Sequence, residues 1–336
     1  MLEVENRTSF VSGVFPGTDK DGRDFLTVTV KGTFVLDKQG RTLEEAEEQE
    51  PLIMGDVHYG EPGESSVKYE SDTGPLKTAT DVVLVGHAYP PGGEGSSVDV
   101  SLAVGSVERT VRVFGDRKWS RTLGKWGLTK PEKFERMPLI YERAYGGMDA
   151  VDEDPAKHAM ERRNPVGSGF AVSRGSLEDL PGPNIEDPGN LIKGWKDRPD
   201  PVGFGFIGRG WAPRVDLAGT YDGVWEKDRL PLLPKDFDHR YFNGAHTSLT
   251  AAPRLKGGES VTVRGATPRG ELRFPLPRRA LDMSWTIRDN WTHVPMDLDT
   301  VVIEPDESRV LLTWRATIEC GREMTAIDKI ITEEIA

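Results

Sequence analysis

Residues 25–36 alternate along the chain. Phe25, Thr27, Thr29 and Lys31 fall on one side, Leu26, Val28, Val30 and Gly32 on the other, and Thr33 to Leu36 continue the apolar pattern. Period two predicts a strand with one wet face, because successive side chains of a pleated strand point to opposite sides. A second group runs through DVVLVGHAY, a PPGGEGSS turn and VDVSLAVGSVERTVRVFG, in which Val98, Val100, Leu102 and Val104 alternate. Valine-rich strands divided by Gly-Ser turns predict an antiparallel meander or sandwich. After Ala245 strands return. GGESVTVRGATPRGELRFPLP predicts a hairpin with Val261 and Val263 facing Leu272 and Phe274, and DLDTVVIEPDESRVLLTWRATI predicts another that turns at Pro305 to Ser308.

Between about Arg117 and Ala245 no period lasts more than a few residues, and Pro, Gly, Trp and Tyr become dense. A loop region this long needs anchors or a function. Tyr141, Tyr145, Trp195, Phe204, Phe206, Trp211, Tyr221 and Trp225 supply candidate anchors, each able to bury a large area while its polar tip finds a partner. The acidic run from Glu44 to Glu50, closed by Pro51, reads as a solvated loop or short surface helix. The expected fold is mainly β, with antiparallel sandwich-like regions at both ends and a loop-rich, aromatic-rich middle. Its divisions are 1–125, 126–245 and 246–336, packed as one globular unit.

Composition fits this picture: 36% hydrophobic residues is low for a globular chain of 336 residues, while 37 Gly and 24 Pro supply many turns. With 43 Lys plus Arg against 55 Asp plus Glu, the net charge of -12 disfavours phosphate backbones and anionic lipid as partners, so neither nucleic acid nor membrane is expected. The lone cysteine, Cys320, allows no internal disulfide and no cysteine-based zinc site, which suits a reducing compartment. The opening MLEVENRTSF carries Glu3 and Glu5 where a secretory leader would be basic, and no apolar run approaches the ~20 residues that span a bilayer. These features predict a cytoplasmic protein.

Candidate chemistry is sparse. The histidines are scattered, and only His239 and His246, with Asp236 and Asp238 upstream, could be drawn as a metal site; their spacing matches no compact ligand motif. GSGF at 167–170 lacks the form of a nucleophile elbow, and FGFIGRGW at 204–211 lacks the lysine of a phosphate loop. Asp222 and Glu226, close to Trp211, Tyr221 and Trp225, are the pair a carbohydrate-active β protein would use, although turn-capping by Asp in an aromatic loop core is the plainer reading. Asp116 and Arg117 suggest a local ion pair over Trp119. Arg143, Arg162, Arg163 and Arg214 suggest bidentate pairs with Glu142 or Asp222. No catalytic residue, metal or cofactor is assigned.

Several blocks occur in one order from about Leu84 to Phe274: GHAYPPGG, VFGDRKW, MPLIYERAYGG, NPVGSGF, PGPNIEDPGNLI and GFGFIGRGWAPRVDLAGTYDGVWEKDRLPLLPKDFDHRYFNGA. In this series the chain resembles a bacterial family of unknown function encoded beside the VgrG and PAAR spike proteins of type VI secretion. The resemblance implies a non-enzymatic adaptor or chaperone that connects a toxin effector to its PAAR/VgrG spike. After Asn243 the chain reads GAHTSLTAAPRLKGGE where the family tends to carry an Ala-Pro-x-Asp-Gln-like segment, which leaves the role of that segment open. Aromatic and arginine side chains anchor interfaces well, so Trp211, Arg214, Tyr221, Asp222, Trp225, Tyr141, Arg143 and Tyr145 are the expected partner-binding residues. An exposed strand edge is the other route to a partner. A carbohydrate-binding β protein and a spike-associated structural component are the alternative readings.

Overall fold

The computed structural model describes residues 2–321 and 324–335. The fold is mainly β. The largest sheet has seven strands; across it lie Thr250–Ala251, Thr80–Leu84, Asp297–Glu304, Arg309–Gly321, Asp24–Leu36 and Val11–Thr18, with Leu43–Glu45 also paired to Asp24–Leu36. A five-stranded sheet runs Ile185–Glu186, Val107–Phe114, Ser97–Val104, Ser260–Arg264, Glu271–Pro275. A four-stranded sheet joins Glu3–Asn6, Lys329–Glu334, Leu281–Ile287 and Asn290–Pro295. Most pairings are antiparallel. Glu3–Asn6 with Lys329–Glu334 and Thr80–Leu84 with Asp297–Glu304 are parallel, so strands far apart in sequence meet in the same sheets.

Both expected C-terminal hairpins form. Val261 faces Phe274 and Val263 faces Leu272, while Glu304 and Arg309 close the second hairpin around the 305–308 turn. The valine strand turns at Gly105, whose φ of +56° is costly for a residue with a Cβ, and Val104 then pairs with Val107. In the five-stranded sheet period two has its ordinary meaning: Val98, Val100, Leu102 and Val104 are buried while Ser97 and Asp99 are exposed. These valines share one continuous buried cluster with Leu26, Val28, Val30 and Phe34 of the large sheet and Leu281 and Met283 of the four-stranded sheet.

The large sheet departs from the expected wet face. Thr27, Thr29, Lys31 and Thr33 are as buried as the apolar residues between them. Loops from 51–77 and from the middle of the chain cover this side: the Thr29 hydroxyl donates to the Asp72 carbonyl at 3.0 Å, and Leu84 N donates to the Phe204 carbonyl at 3.1 Å. The polar alternation therefore marks a second interior. The acidic run is loop from Ala46 onward with Glu47 and Glu48 exposed, as expected, but its start differs: Leu43–Glu45 forms an edge strand on Asp24–Leu36, and Gln49 bridges to both backbone groups of Thr33. Among the described residues, no helix is long and apolar enough to cross a membrane.

Candidate functional site

The second interior is ionic. Lys31, Lys77, Arg214 and Arg315 face Glu70, Asp72, Asp81 and Asp299, and all eight are buried. Lys31 Nζ lies 3.0 Å from Asp72, and Lys77 Nζ lies 2.8 Å from Asp81 and 3.5 Å from Glu70. Arg315 Nη1 donates to both oxygens of Asp299 at 2.6 Å, and Arg214 pairs with Glu70 while donating from Nε to the Tyr241 carbonyl at 2.8 Å. Four cations against four carboxylates leave no net charge, which is what the low dielectric of an interior demands. Burial alone would push the Glu70 carboxyl up, but Arg214 and Lys77 outweigh it and hold it below its ordinary range. Burial likewise opposes the charge on Lys77, and Asp81 and Glu70 overcome it, so its pKa is raised.

Asp81 extends the network to the middle of the chain, accepting from Asn243 Nδ2 at 3.0 Å and Gly244 N at 2.7 Å. A Cβ at Gly244 would stand 2.6 Å from a Glu70 oxygen, so this approach requires glycine. The cavity among these groups holds only about 20 Å³, room for roughly one water molecule. This is too small for a substrate. The ionic layer fastens residues 204–214 and 241–244 to the sheet.

The candidate site is the block from Trp211 to Leu230, in the chain between these two fastened segments. Asp222 accepts from Val224 N at 3.0 Å and Trp225 N at 2.8 Å, capping the short helix Gly223–Asp228. The Trp225 indole donates to the Leu232 carbonyl at 2.8 Å and meets the Tyr221 ring edge-on at 4.7 Å. Gly219, at φ +85°, brings Thr220 to Asp236, which accepts from its amide at 3.1 Å and its hydroxyl at 2.8 Å. Arg229 ties the block to the Lys20 and Leu233 carbonyls. On this braced support Tyr221, Val224 and Leu230 remain 51%, 67% and 59% exposed. A groove of about 700 Å³ opens nearby, lined by Asp19, Lys20, Arg23, Leu233, Phe242 and Glu319 among others.

The other expected binding residues are placed differently. Tyr141 and Tyr145 are buried, and burial pushes both phenols up to about 12. Tyr141 packs edge-on against half-buried Trp211 at 5.6 Å. These rings are core rather than contact surface. Arg214 is buried with Glu70, not paired with Asp222, whose carboxylate is engaged as a cap. Arg143 reaches Asp116 at 2.8 Å instead of Glu142, and Glu142 accepts from the Ser66 amide and hydroxyl at 2.7 Å. Arg117 pairs with Glu186 and not with Asp116, while Trp119 belongs to a separate small cluster with Ala171 and Leu177. Arg162 pairs with Asp216, and Arg163 with Glu161 and Asp200.

The drawn histidine site is dispersed. His239 stacks edge-on against Phe237, whereas His246 contacts Arg109. Asp236 holds Thr220 and Asp238 caps the turn His239–Phe242. No local period in the sequence marks Val224 and Leu230 as exposed. The ionic layer is hidden as well, since its charges lie far apart along the chain.

No curated protein and no solved structure matches the chain. Residues 21–315 match the model of a family described as an uncharacterised protein conserved in bacteria (DUF2169), and the chain belongs to that family.

Proposed function

We propose that this protein is a cytoplasmic, non-enzymatic adaptor that binds a toxin effector and assists its loading onto a PAAR/VgrG spike of type VI secretion. The observation that carries the binding role is the exposure of three large apolar side chains, Tyr221, Val224 and Leu230, on one short braced block. Apolar side chains that stay in water are a liability unless a partner covers them, and those on a block held by a helix cap and side-chain ties to backbone carbonyls lose little further freedom on binding. The choice of partner rests on the ordered sequence blocks that resemble the spike-associated family. The acidic balance of the chain suits a basic cargo such as a nuclease toxin, whose approach it would steer.

Two measurements test the reading. Deleting the gene should reduce delivery or stability of one effector while export of the tube protein continues; loss of tube export would identify a core component instead. In vitro, the combined substitution Tyr221→Ser, Val224→Ser and Leu230→Ser should keep the melting temperature near wild type and abolish effector capture. Undiminished capture by that folded variant would remove the 221–230 block from the interface.

A further inference from the structure

A second apolar surface lies on the hairpin that joins Met148–Asp149 to Ala159–Met160. Met148 stands directly opposite Met160 and Asp149 opposite Ala159. Strand alternation then sends the two methionines to one side and Asp149 to the other. Asp149 is buried and accepts from Val172 N and the Ser176 hydroxyl at 2.8 Å, and from Val151 N at 3.4 Å. Burial opposes its charge, but these donors prevail and its pKa is lowered, so a stable carboxylate pins the hairpin from beneath. On the outside Met148 and Met160 are 61% and 49% exposed. Cross-strand neighbours of this kind have Cβ atoms about 5 Å apart and make one continuous apolar step.

The loop between the two strands is acidic and internally braced. Asp152 accepts from Asp154 N at 3.0 Å and Lys157 Nζ at 3.2 Å, and Asp154 caps the turn Pro155–Lys157. Beside Asp152, Glu153 and Asp154 stand Lys157, already paired with Asp152, and His158, whose ring bonds the Asp152 carbonyl. Arg162 is engaged by Asp216, so it does not offset this charge freely. Flexible thioethers adapt to varied apolar shapes, and acids beside them select a cationic partner.

We propose that Met148 and Met160, with the acidic 152–154 loop between their strands, form a docking site for a basic amphipathic helix of a partner protein. The site uses none of residues 221–230 and does not depend on the adaptor reading. The probe is a fluorescent synthetic helix of leucine and lysine, set against one of leucine and glutamate, with binding followed by anisotropy on the full chain. The basic helix should bind and the acidic helix should not. Met148→Ser with Met160→Ser should weaken binding roughly tenfold at unchanged melting temperature, since both side chains are exposed. Glu153→Gln, which keeps both methionines, should weaken it less and reduce its salt sensitivity, and Tyr221→Ser should leave it unchanged. Failure of the basic helix to bind, equal binding of the two helices, or affinity indifferent to the methionine substitutions would each overturn the proposal. So would self-association of the wild type that the methionine variant lacks, which would make a second copy the occupant.

Discussion

Arg315 is almost wholly buried beside Asp299, whose carboxylate has no exposure at all and, among the described residues, keeps one other side-chain donor, the Thr300 hydroxyl at 2.9 Å. Removing the arginine strands that charge, and breaking a buried pair from one side costs about 3–5 kcal/mol. Arg315→Leu should therefore lower unfolding free energy by that order in a urea titration. Adding Asp299→Leu should recover much of the loss, and a double-mutant cycle with no coupling between the two would show that the pair is energetically idle. His246 makes a different prediction. Burial first, and the Arg109 guanidinium second, depress its pKa from 6.5 to about 4. Between those values the unfolded chain binds more protons than the folded one, so stability is full above pH 6.5 and falls as the pH drops towards 4. His246→Gln should flatten that interval in a series of melts across pH.

At the scale of elements, the helix Gly223–Asp228 is too short to persist alone, so its cap matters more than its propensity. Asp222→Ala should cost roughly 1 kcal/mol and speed hydrogen exchange at the Val224 and Trp225 amides, the two donors it now satisfies. Unchanged exchange there would mean the block is held by Arg229 and Asp236 alone. How far such elements were legible varies for a physical reason. The hairpins of 260–275 and 297–321 could be read because turn residues and alternation are local signals. Alternation over residues 25–36 does predict the Asp24–Leu36 strand, but the polar face it predicts as wet is buried. The partner that makes Lys31 tolerable inside is Asp72, 41 residues away, and nothing in the local pattern announces it. Arg214 repeats the lesson: Asp222 is near in sequence, yet Glu70, 144 residues distant, is the carboxylate it meets. The exposure of Val224 and Leu230 is likewise a tertiary fact, set by how Arg229 and Trp225 seat the block.

For the whole molecule the decisive feature is how the strands interleave. Asp24–Leu36 takes Arg309–Gly321 as its neighbour, Ser97–Val104 takes Ser260–Arg264, and Glu3–Asn6 takes Lys329–Glu334. Each of the three main sheets thus holds strands from 1–125 and from 246–336, and the ionic layer fastens the middle segment to the largest of them. A chain of 336 residues would commonly unfold in stages, since cooperativity tends to fail beyond about 150 residues. Here neither end can leave without exposing sheet edges and the shared apolar cluster of the other. Thermal unfolding should accordingly be one transition, with calorimetric and van't Hoff enthalpies in agreement and the same midpoint from far- and near-ultraviolet circular dichroism. A fragment covering 1–125 should not fold alone, because its central strand would lack Arg309–Gly321 and Lys31 and Asp81 would face an uncovered sheet. Two resolved transitions, or a fragment 1–125 with dispersed amide resonances, would show that the ends are independent despite sharing sheets. In that case the 221–230 block would belong to a movable middle rather than to a fixed support, and its rigidity could no longer explain affinity for a partner.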